Sequence, residues 1–200
     1  MRHLRKVFIA IISLVIIAQN IFANEQDELK EQFLNKLDTI VSIVQDTTLL
    51  KDERNKKIVE LLTPTFDFDI MAKLSLGSKE WSKLNPEQRT KFVDLYVERM
   101  KQSYSSKLDS YKDQVIEITE IKQPKSNRIE IITNIANGGE KLEISYKYYK
   151  PARQEIGKDK WLIYDVSILG ISILKTDRAQ FSEFLQTKTI DDLIIKLSNS

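Results

Sequence analysis

The chain has 200 residues, a length typical of one domain with a sizeable hydrophobic core. It contains no cysteine and its only histidine is His3, which excludes disulfides, Ser-His-Asp triads and zinc sites built on histidine or cysteine beyond that position. The formal net charge of +2 does not indicate the basic surface that nucleic-acid binding requires.

The first 23 residues have the pattern of a cleaved secretory signal peptide. A basic start with Arg2 and Arg5 precedes the apolar run Val7–Ala18, and the segment ends at the small residue Ala23. Because a bilayer needs about 20 apolar residues, this run is too short for a membrane anchor. We therefore predict cleavage after Ala23 and a single domain over residues 24–200.

Without that segment the chain is nearly neutral. Residues 1–23 hold three of the 31 basic residues and none of the 29 acidic ones, which leaves 28 basic and 29 acidic side chains. The mature domain therefore lacks the excess of lysine and arginine that is typical of proteins that bind nucleic acids.

Two amphipathic helices are predicted at the start of the mature domain. Apolar residues from Leu29 to Val44 recur at spacings of three and four, as a helix requires, and this helix is expected to end near Gln45. Lys51–Leu62 is predicted as a shorter second helix because Pro64 follows its end.

The next stretch, Thr65–Trp81, brings several large apolar side chains close together in sequence. Two phenylalanines alternate with Asp67 and Asp69, and Asp69 is a candidate N-cap for a short helix that ends at Gly77. The two phenyl rings, Met71 and the tryptophan form either a corner of the core or the lip of an apolar pocket.

Asn85 and Pro86 mark the start of a long helix, with Gln88 completing a capping box. This helix is predicted to run to about Tyr111, and its apolar residues wind across a wide face. We expect this face to cover a β-sheet. Its inner row consists of Phe92, Tyr96, Met100, Tyr104 and Leu108.

From Val115 the hydrophobic period becomes two, which is typical of strands. Asn137 and the two glycines that follow it are a strong hairpin signal, and the short connections between strands indicate an antiparallel meander. Glu143 and Lys147 share one face of the third strand, so that face is expected to meet water. Four strands are predicted, over residues 115–121, 128–136, 141–149 and 161–168.

The segment Trp161–Phe181 joins the last predicted strand to a helix. Gly170 provides a turn, and from Ile171 the apolar residues return to helical spacing. A last helix is predicted over Ile190–Leu197. The whole chain therefore predicts an α+β fold, in which N-terminal helices and a long helix pack on one face of a curved four-stranded antiparallel meander. C-terminal helices follow, and an apolar cleft lies between sheet and helices.

Three of these segments together resemble a known family. They are FDFDIMAKLSLGSKEW, NPEQRTKFVDLYVERMKQSY and WLIYDVSILGISILKTDRAQF, and they follow one another over nearly all of the mature chain. The sequence resembles the MlaC family of periplasmic phospholipid-binding proteins, also called the toluene-tolerance family. Where typical members have Tyr-Arg in the last segment, this chain has Asp177 and Arg178, a difference that we expect to lie on a helix surface.

The resemblance implies a periplasmic carrier that shuttles phospholipid between membrane-bound complexes of the inner and outer membranes. It implies no enzymatic activity, no metal and no cofactor beyond the phospholipid cargo. In such proteins the acyl chains lie between sheet and helices, and the head group stays largely outside.

The wide face of the long helix and the apolar face of the strands offer the two walls of such a cleft. Each of the candidate residues also fits an ordinary core position. The candidate lipid-binding residues are Phe92, Tyr96, Met100 and Tyr104 on the helix, and Ile129, Ile131, Leu142, Ile144, Tyr146, Tyr164 and Val166 on the strands.

Two other classes of function stay open from the residues alone. Asp165 lies within an apolar strand, where a carboxyl group with a raised pKa can act as a general base in an enzyme of a cone-like α+β fold. Its alternative role is to hold the strand to a neighbouring element. The third class is an interaction or chaperone-like module, which would expose an apolar patch. The charged loop Lys150–Lys160 is expected to be solvated, and its basic residues offer contacts to anionic head groups.

Overall fold

The computed structural model describes residues 25–108, 115–137 and 140–199. The predicted signal peptide, Tyr111 and Gly138 lie outside these residues, as do the side chains of residues 103–108. The described helices are α1 (residues 25–45), α2 (Lys51–Leu62), α3 (Phe68–Leu76), α4 (Ser78–Lys83), α5 (Pro86–Leu108), α6 (Ile173–Phe184) and α7 (Ile190–Ser198), with a 3-10 turn at Thr63–Thr65.

The sheet is an antiparallel meander, as predicted, but it has five strands in the described part of the chain, so the prediction of four strands was wrong. Bulges at Thr119 in β1 and at Tyr164 in β4 introduce local bends, which curve the sheet. In spatial order the strands are β1 (Ile116–Lys125), β2 (Arg128–Asn137), β3 (Glu140–Tyr149), β4 (Leu162–Ile168) and β5 (Ile171–Ser172).

The fifth strand forms because the turn after β4 is tighter than the sequence suggested. Leu169 and Gly170 have φ angles of 50° and 77°, and a type I′ hairpin turn requires positive φ at both central residues. The turn pairs Ile171 back onto β4. The helix therefore begins only after Ser172, whose side chain caps α6.

The capping box that the sequence predicts at the start of α5 is present, whereas the cap of α3 is shifted by two residues. The Gln88 N–H donates to Asn85 Oδ1 at 2.8 Å, and the Asn85 N–H donates to Gln88 Oε1 at 3.1 Å. In α3, however, the cap is Asp67, whose Oδ1 accepts a hydrogen bond from the Ile70 N–H at 2.9 Å. Asp69 lies in the first turn instead, where its negative charge interacts favourably with the helix dipole.

Helix α5 packs mainly on other helices. Its Phe92 and Tyr96 are fully buried in a helical core with residues of α3, α6 and α7. Among the α5 residues whose side chains the structure describes, Met100 and Lys101 line the space over the sheet. This arrangement arises because α6 and α7, which follow the sheet in sequence, pack against the wide apolar face of α5.

Asp177 lies in this helical core, so the expectation that it occupies a helix surface was wrong. It is only 3% exposed. The Tyr96 hydroxyl donates to its Oδ2 at 3.0 Å, and the Arg99 guanidinium donates to its Oδ1 at 2.7 Å. These two bonds compensate for burial of the carboxylate and join α6 to α5. Arg178 is exposed, as expected.

Candidate functional site

The apolar face of the sheet forms one wall of a cavity. Because side chains alternate along a strand, the register places apolar residues of neighbouring strands side by side. Ile135 of β2 pairs with Ile116 of β1 and with Leu142 of β3. Further along the sheet, Tyr146 of β3 pairs with Val166 of β4. These rows make a continuous apolar surface on the side of the sheet that α1 covers.

Helices α1 and α2 form the opposite wall. Leu29 and Phe33 of α1 are buried against the sheet, and the Phe33 ring meets the Tyr146 ring edge-on, with 5.2 Å between centroids. Beyond this contact, helices and sheet leave a cavity of about 470 Å³, within the range of ligand pockets. Its apolar lining includes Leu37, Ile40, Val41, Ile58, Val59, Leu62, Phe66, Phe68, Met100, Leu142, Ile144 and Ile168.

The polar residues of the lining include a hydrogen-bonded group that fastens α1 to the rest of the domain. Lys36 Nζ lies 2.6 Å from Thr65 Oγ1 and 2.6 Å from Asp159 Oδ2, and the Thr65 hydroxyl donates to Asp159 Oδ2 at 2.8 Å. The three residues belong to α1, the 3-10 turn and the β3–β4 loop (residues 150–161). Because the Lys36 ammonium and the Asp159 carboxylate are paired at one edge of the cavity, the remaining lining is suited to hydrocarbon.

Two tyrosines of β3 line the same cavity. Burial raises the pKa of Tyr146 to about 12, and the hydrogen bond to Thr133 opposes that shift. Burial also raises the pKa of Tyr148 well above its ordinary value, with smaller contributions from Tyr146 and Asp159. Both hydroxyls therefore stay protonated near neutral pH.

Of the candidate residues from the sequence, five lie on the cavity wall: Met100, Leu142, Ile144, Tyr146 and Val166. Ile129 and Ile131 belong to the same sheet core and are buried beside the cavity. The lipid-binding role of these residues remains a prediction.

Three other candidates lie away from the cavity. Phe92 and Tyr96 belong to the helical core. Tyr164 is the extra residue of a bulge in β4, and its ring packs on the opposite face of the sheet, 6.1 Å from the Tyr149 ring and 5.2 Å from the Arg128 guanidinium. The fourth, Tyr104, belongs to α5, but its side chain lies outside the described residues.

The N-terminal helices were predicted to pack on the sheet beside an apolar cleft, but none of their residues was among the candidate lipid-binding residues. Leu37, Ile40 and Val41 were predicted to share the inner face of a helix, but helical spacing does not reveal which surface that face meets. Phe66 and Phe68, predicted to lie either in a core corner or at a pocket lip, both line the cavity and stack with 5.3 Å between ring centroids.

Asp165 faces away from the cavity and is saturated with donors. Both of its oxygens accept from the Ser172 hydroxyl at 2.9 Å, the Leu174 N–H donates to Oδ1 at 3.3 Å, and Lys147 Nζ lies 3.1 Å from Oδ2. The side chain is 5% exposed. These contacts tie β4 to β5 and to the start of α6, which is the structural role that the sequence left open.

Neither a metal centre nor a membrane span is found among residues 25–108, 115–137 and 140–199. In these ranges no three histidine, cysteine or acidic side chains are grouped as metal ligands, and no helix is both long and apolar enough to cross a bilayer.

Sequence comparison relates the chain to one family. The family model described as "MlaC protein" matches residues 34–199. The "Intermembrane phospholipid transport system binding protein MlaC" of Haemophilus influenzae is 30% identical over 142 residues, which is 70% of this chain and 64% of that relative. The chain thus spans slightly less than two thirds of the relative's length.

Comparison of folds gives a consistent result. The phospholipid-binding protein from Ralstonia solanacearum, solved in complex with a phospholipid, superposes with a TM-score of 0.69. The match covers 84% of this chain and 93% of that chain at 18% sequence identity. At this identity the similarity shows a shared fold.

Proposed function

This chain belongs to the MlaC family, and on that premise we propose that it is a periplasmic phospholipid carrier. Its acyl cargo lies in the cavity between the sheet and helices α1 and α2, and the lipid is exchanged with membrane-bound complexes of the inner and outer membranes. The observation that carries the proposal is the 470 Å³ cavity with its predominantly aliphatic and aromatic lining.

The size of the hydrophobic effect explains why a carrier needs such a cavity. Two acyl chains contain about 30 methylene groups, and at about 0.8 kcal/mol each their exposure to water costs on the order of 20 kcal/mol. A soluble protein can move such a lipid only if apolar side chains replace most of the water contact. Leu37, Ile40, Val41, Leu142 and Ile144 supply contacts of this kind on two facing walls.

A carrier releases its cargo chemically unchanged, so this proposal assigns no catalytic group. Asp165, the carboxylate that an enzyme would have used, lies on the other side of the sheet and is bonded to Ser172 and Lys147. The enzyme alternative therefore receives no support from the geometry around Asp165.

The test is extraction of the protein after native purification. The chain is expressed with its leader, released from the periplasm by osmotic shock and extracted with organic solvent for mass spectrometry. We expect stoichiometric diacyl phospholipid in the extract, and a mass of the intact protein that corresponds to a chain beginning at Asn24. A lipid-free extract, together with no uptake of lipid from vesicles by the purified chain, would rule out the carrier function.

A further inference from the structure

A polar groove lies against the apolar cavity, on the flank of α1 that faces the β3–β4 loop. It measures about 480 Å³. Six of its residues recur on α1 at spacings of three and one, which places them on one stripe of the helix. Lys160 of the β3–β4 loop contributes the other side. The six α1 residues are Glu28, Glu31, Gln32, Asn35, Lys36 and Thr39.

Gln32 and Lys36 line both the groove and the cavity. These two residues are four apart and are therefore neighbours on the helix surface. They mark the place where an apolar compartment adjoins a polar one. A phospholipid has the same division, because its acyl chains join a phosphate-containing head group.

Lys36 retains hydrogen-bonding capacity at this boundary. Its ammonium group has three protons, and two of them are directed at Thr65 Oγ1 and Asp159 Oδ2. In the described part of the chain the third has no acceptor. A phosphate oxygen can therefore bind Lys36 without breaking the ion pair that holds α1, and the Gln32 amide offers a second donor.

The charges of the groove are balanced. Lys36, Glu28 and Glu31 line the groove from α1 and Lys160 lines it from the loop, and Glu28 is paired with Lys160 at 2.6 Å. Glu31 lies five residues before Lys36, about 7.5 Å along the helix axis and about 140° around it, so the two side chains border different parts of the same groove. A head group whose phosphate lies at Lys36 can therefore direct its amine along the groove towards Glu31. An anionic head group without an amine would leave Glu31 unpaired.

We propose that this groove binds the head group of a zwitterionic aminophospholipid, with the phosphate at Lys36 and Gln32 and the amine at Glu31. The proposal rests on the carrier function and adds a head-group preference to it. The apolar cavity supplies most of the binding free energy, and the groove supplies the discrimination between head groups.

The test uses the mature chain after removal of bound lipid, incubated with vesicles of equal phosphatidylethanolamine and phosphatidylglycerol, with bound lipid quantified by mass spectrometry. We expect enrichment of phosphatidylethanolamine in the wild type. Lys36→Met is expected to reduce retained lipid about tenfold, as loss of one charge-assisted hydrogen bond predicts. Glu31→Gln is expected to remove the enrichment with total lipid changed by about twofold or less.

Two variants control for charge and for folding. Lys30→Met removes an exposed lysine of the same helix outside the groove and is expected to retain lipid as the wild type does. Lys36→Arg keeps the cation and is expected to retain most of the lipid. Both Lys36 variants are also compared by melting temperature. If the two variants have the same melting temperature, and Lys36→Met loses lipid whereas Lys36→Arg retains lipid, the loss is due to the head-group contact and not to lower stability.

The outcomes separate this inference from the carrier function. If the wild type takes up lipid, but Lys36→Met behaves like Lys30→Met and no head group is enriched, the groove assignment is overturned while the carrier stands. If the wild type takes up no lipid, both are overturned. Displacement of lipid by excess inorganic phosphate would mark a free-phosphate site and overturn the head-group assignment; we expect no displacement, because the acyl chains remain bound.

Discussion

The described residues form two apolar regions: the core among the helices is closely packed, whereas the core over the sheet borders a cavity. In the helical core, Phe92 lies at the centre of an aromatic cluster, with ring centroids 6.4 Å from Trp81, 6.2 Å from Tyr96 and 5.8 Å from Phe181. Over the sheet, the Phe33 ring of α1 contacts the Tyr146 ring of β3, and Leu37 of α1 also packs on the sheet core. Beyond these contacts a cavity of about 470 Å³ remains between mostly aliphatic side chains.

This difference indicates that the hollow is a functional feature. A cavity of about 470 Å³ leaves the side chains that line it without the packing contacts that stabilise a filled core, which is unfavourable. The helical core shows that this chain can fill space with large rings. Hydrocarbon from a ligand would remove the cost over the sheet.

The largest effect on stability is expected from a substitution that creates a cavity in the helical core. Phe92→Ala is expected to lower the free energy of unfolding by about 3–5 kcal/mol, because a fully buried ring is lost from a packed aromatic cluster. The phospholipid bound per folded molecule should not change. Urea unfolding followed by circular dichroism gives the first quantity and lipid extraction the second. Loss of lipid from the folded fraction would show that the two regions are not independent.

The sequence predicts the local features of the fold, but it does not predict the difference between the packed helical core and the cavity over the sheet. The strands, the Asn85 cap and the hairpin are local features, so short-range patterns predict them. The two-residue strand Ile171–Ser172 is too short to show a period of two. Asp177 occupies a position on the inner stripe of its helix, but its polarity suggested exposure, and its partner Arg99 is distant in sequence.

The cavity itself depends on an assignment that helical periodicity does not contain. The apolar stripes of α1 and α5 look equivalent in the sequence, and both are compatible with covering a sheet. In the structure, Leu29 of α1 packs on the sheet, whereas Phe92 of α5 packs on helices. Whether α5 packs on the sheet or on helices is decided by α6 and α7, which follow later in the chain. For this reason the cavity residues of the sheet were predicted better than those of the helices.

A smaller effect on stability, with a large one on binding, is expected from a charge placed in the hollow. Ile144→Asp puts a carboxylate where acyl chains would lie, and bound lipid is expected to fall about tenfold or more, since a charge facing hydrocarbon is strongly unfavourable. The free energy of unfolding of the lipid-free protein should fall by about 2 kcal/mol or less, because Ile144 is only half-buried and water can enter the empty cavity.

The matched control for this variant is Ile132→Asp. Ile132 is also a half-buried strand residue, but it follows the buried, inward-facing Ile131 and therefore lies on the opposite face of the sheet. We expect a similar stability change and unaltered lipid content. Equal losses of lipid in both variants would mean that Ile144 acts only as a core position.

The smallest effect concerns the protonation of Tyr146 in the wall of the hollow. Its pKa is raised by burial to about 12, so the folded protein keeps this proton at pH values where the unfolded chain, with a pKa near 10, has lost it. The contribution of Tyr146 to the free energy of unfolding is fully present below pH 10 and is lost as the pH rises towards 12. Tyr146→Phe should therefore reduce the loss of stability between pH 10 and 12 relative to the wild type, which is the range between these two pKa values.

Titration of Tyr146 also reports whether lipid fills the cavity over the sheet. Hydrocarbon beside Tyr146 would exclude the water that stabilises its phenolate, and the pKa would rise further than burial by protein alone raises it. We expect the ultraviolet absorbance change of phenolate formation to begin at higher pH in the lipid-loaded wild type than in the delipidated protein, and this difference to shrink in Tyr146→Phe. Identical titration curves with and without lipid would place the acyl chains away from Tyr146, and the cavity over the sheet would then not be the region that the lipid fills.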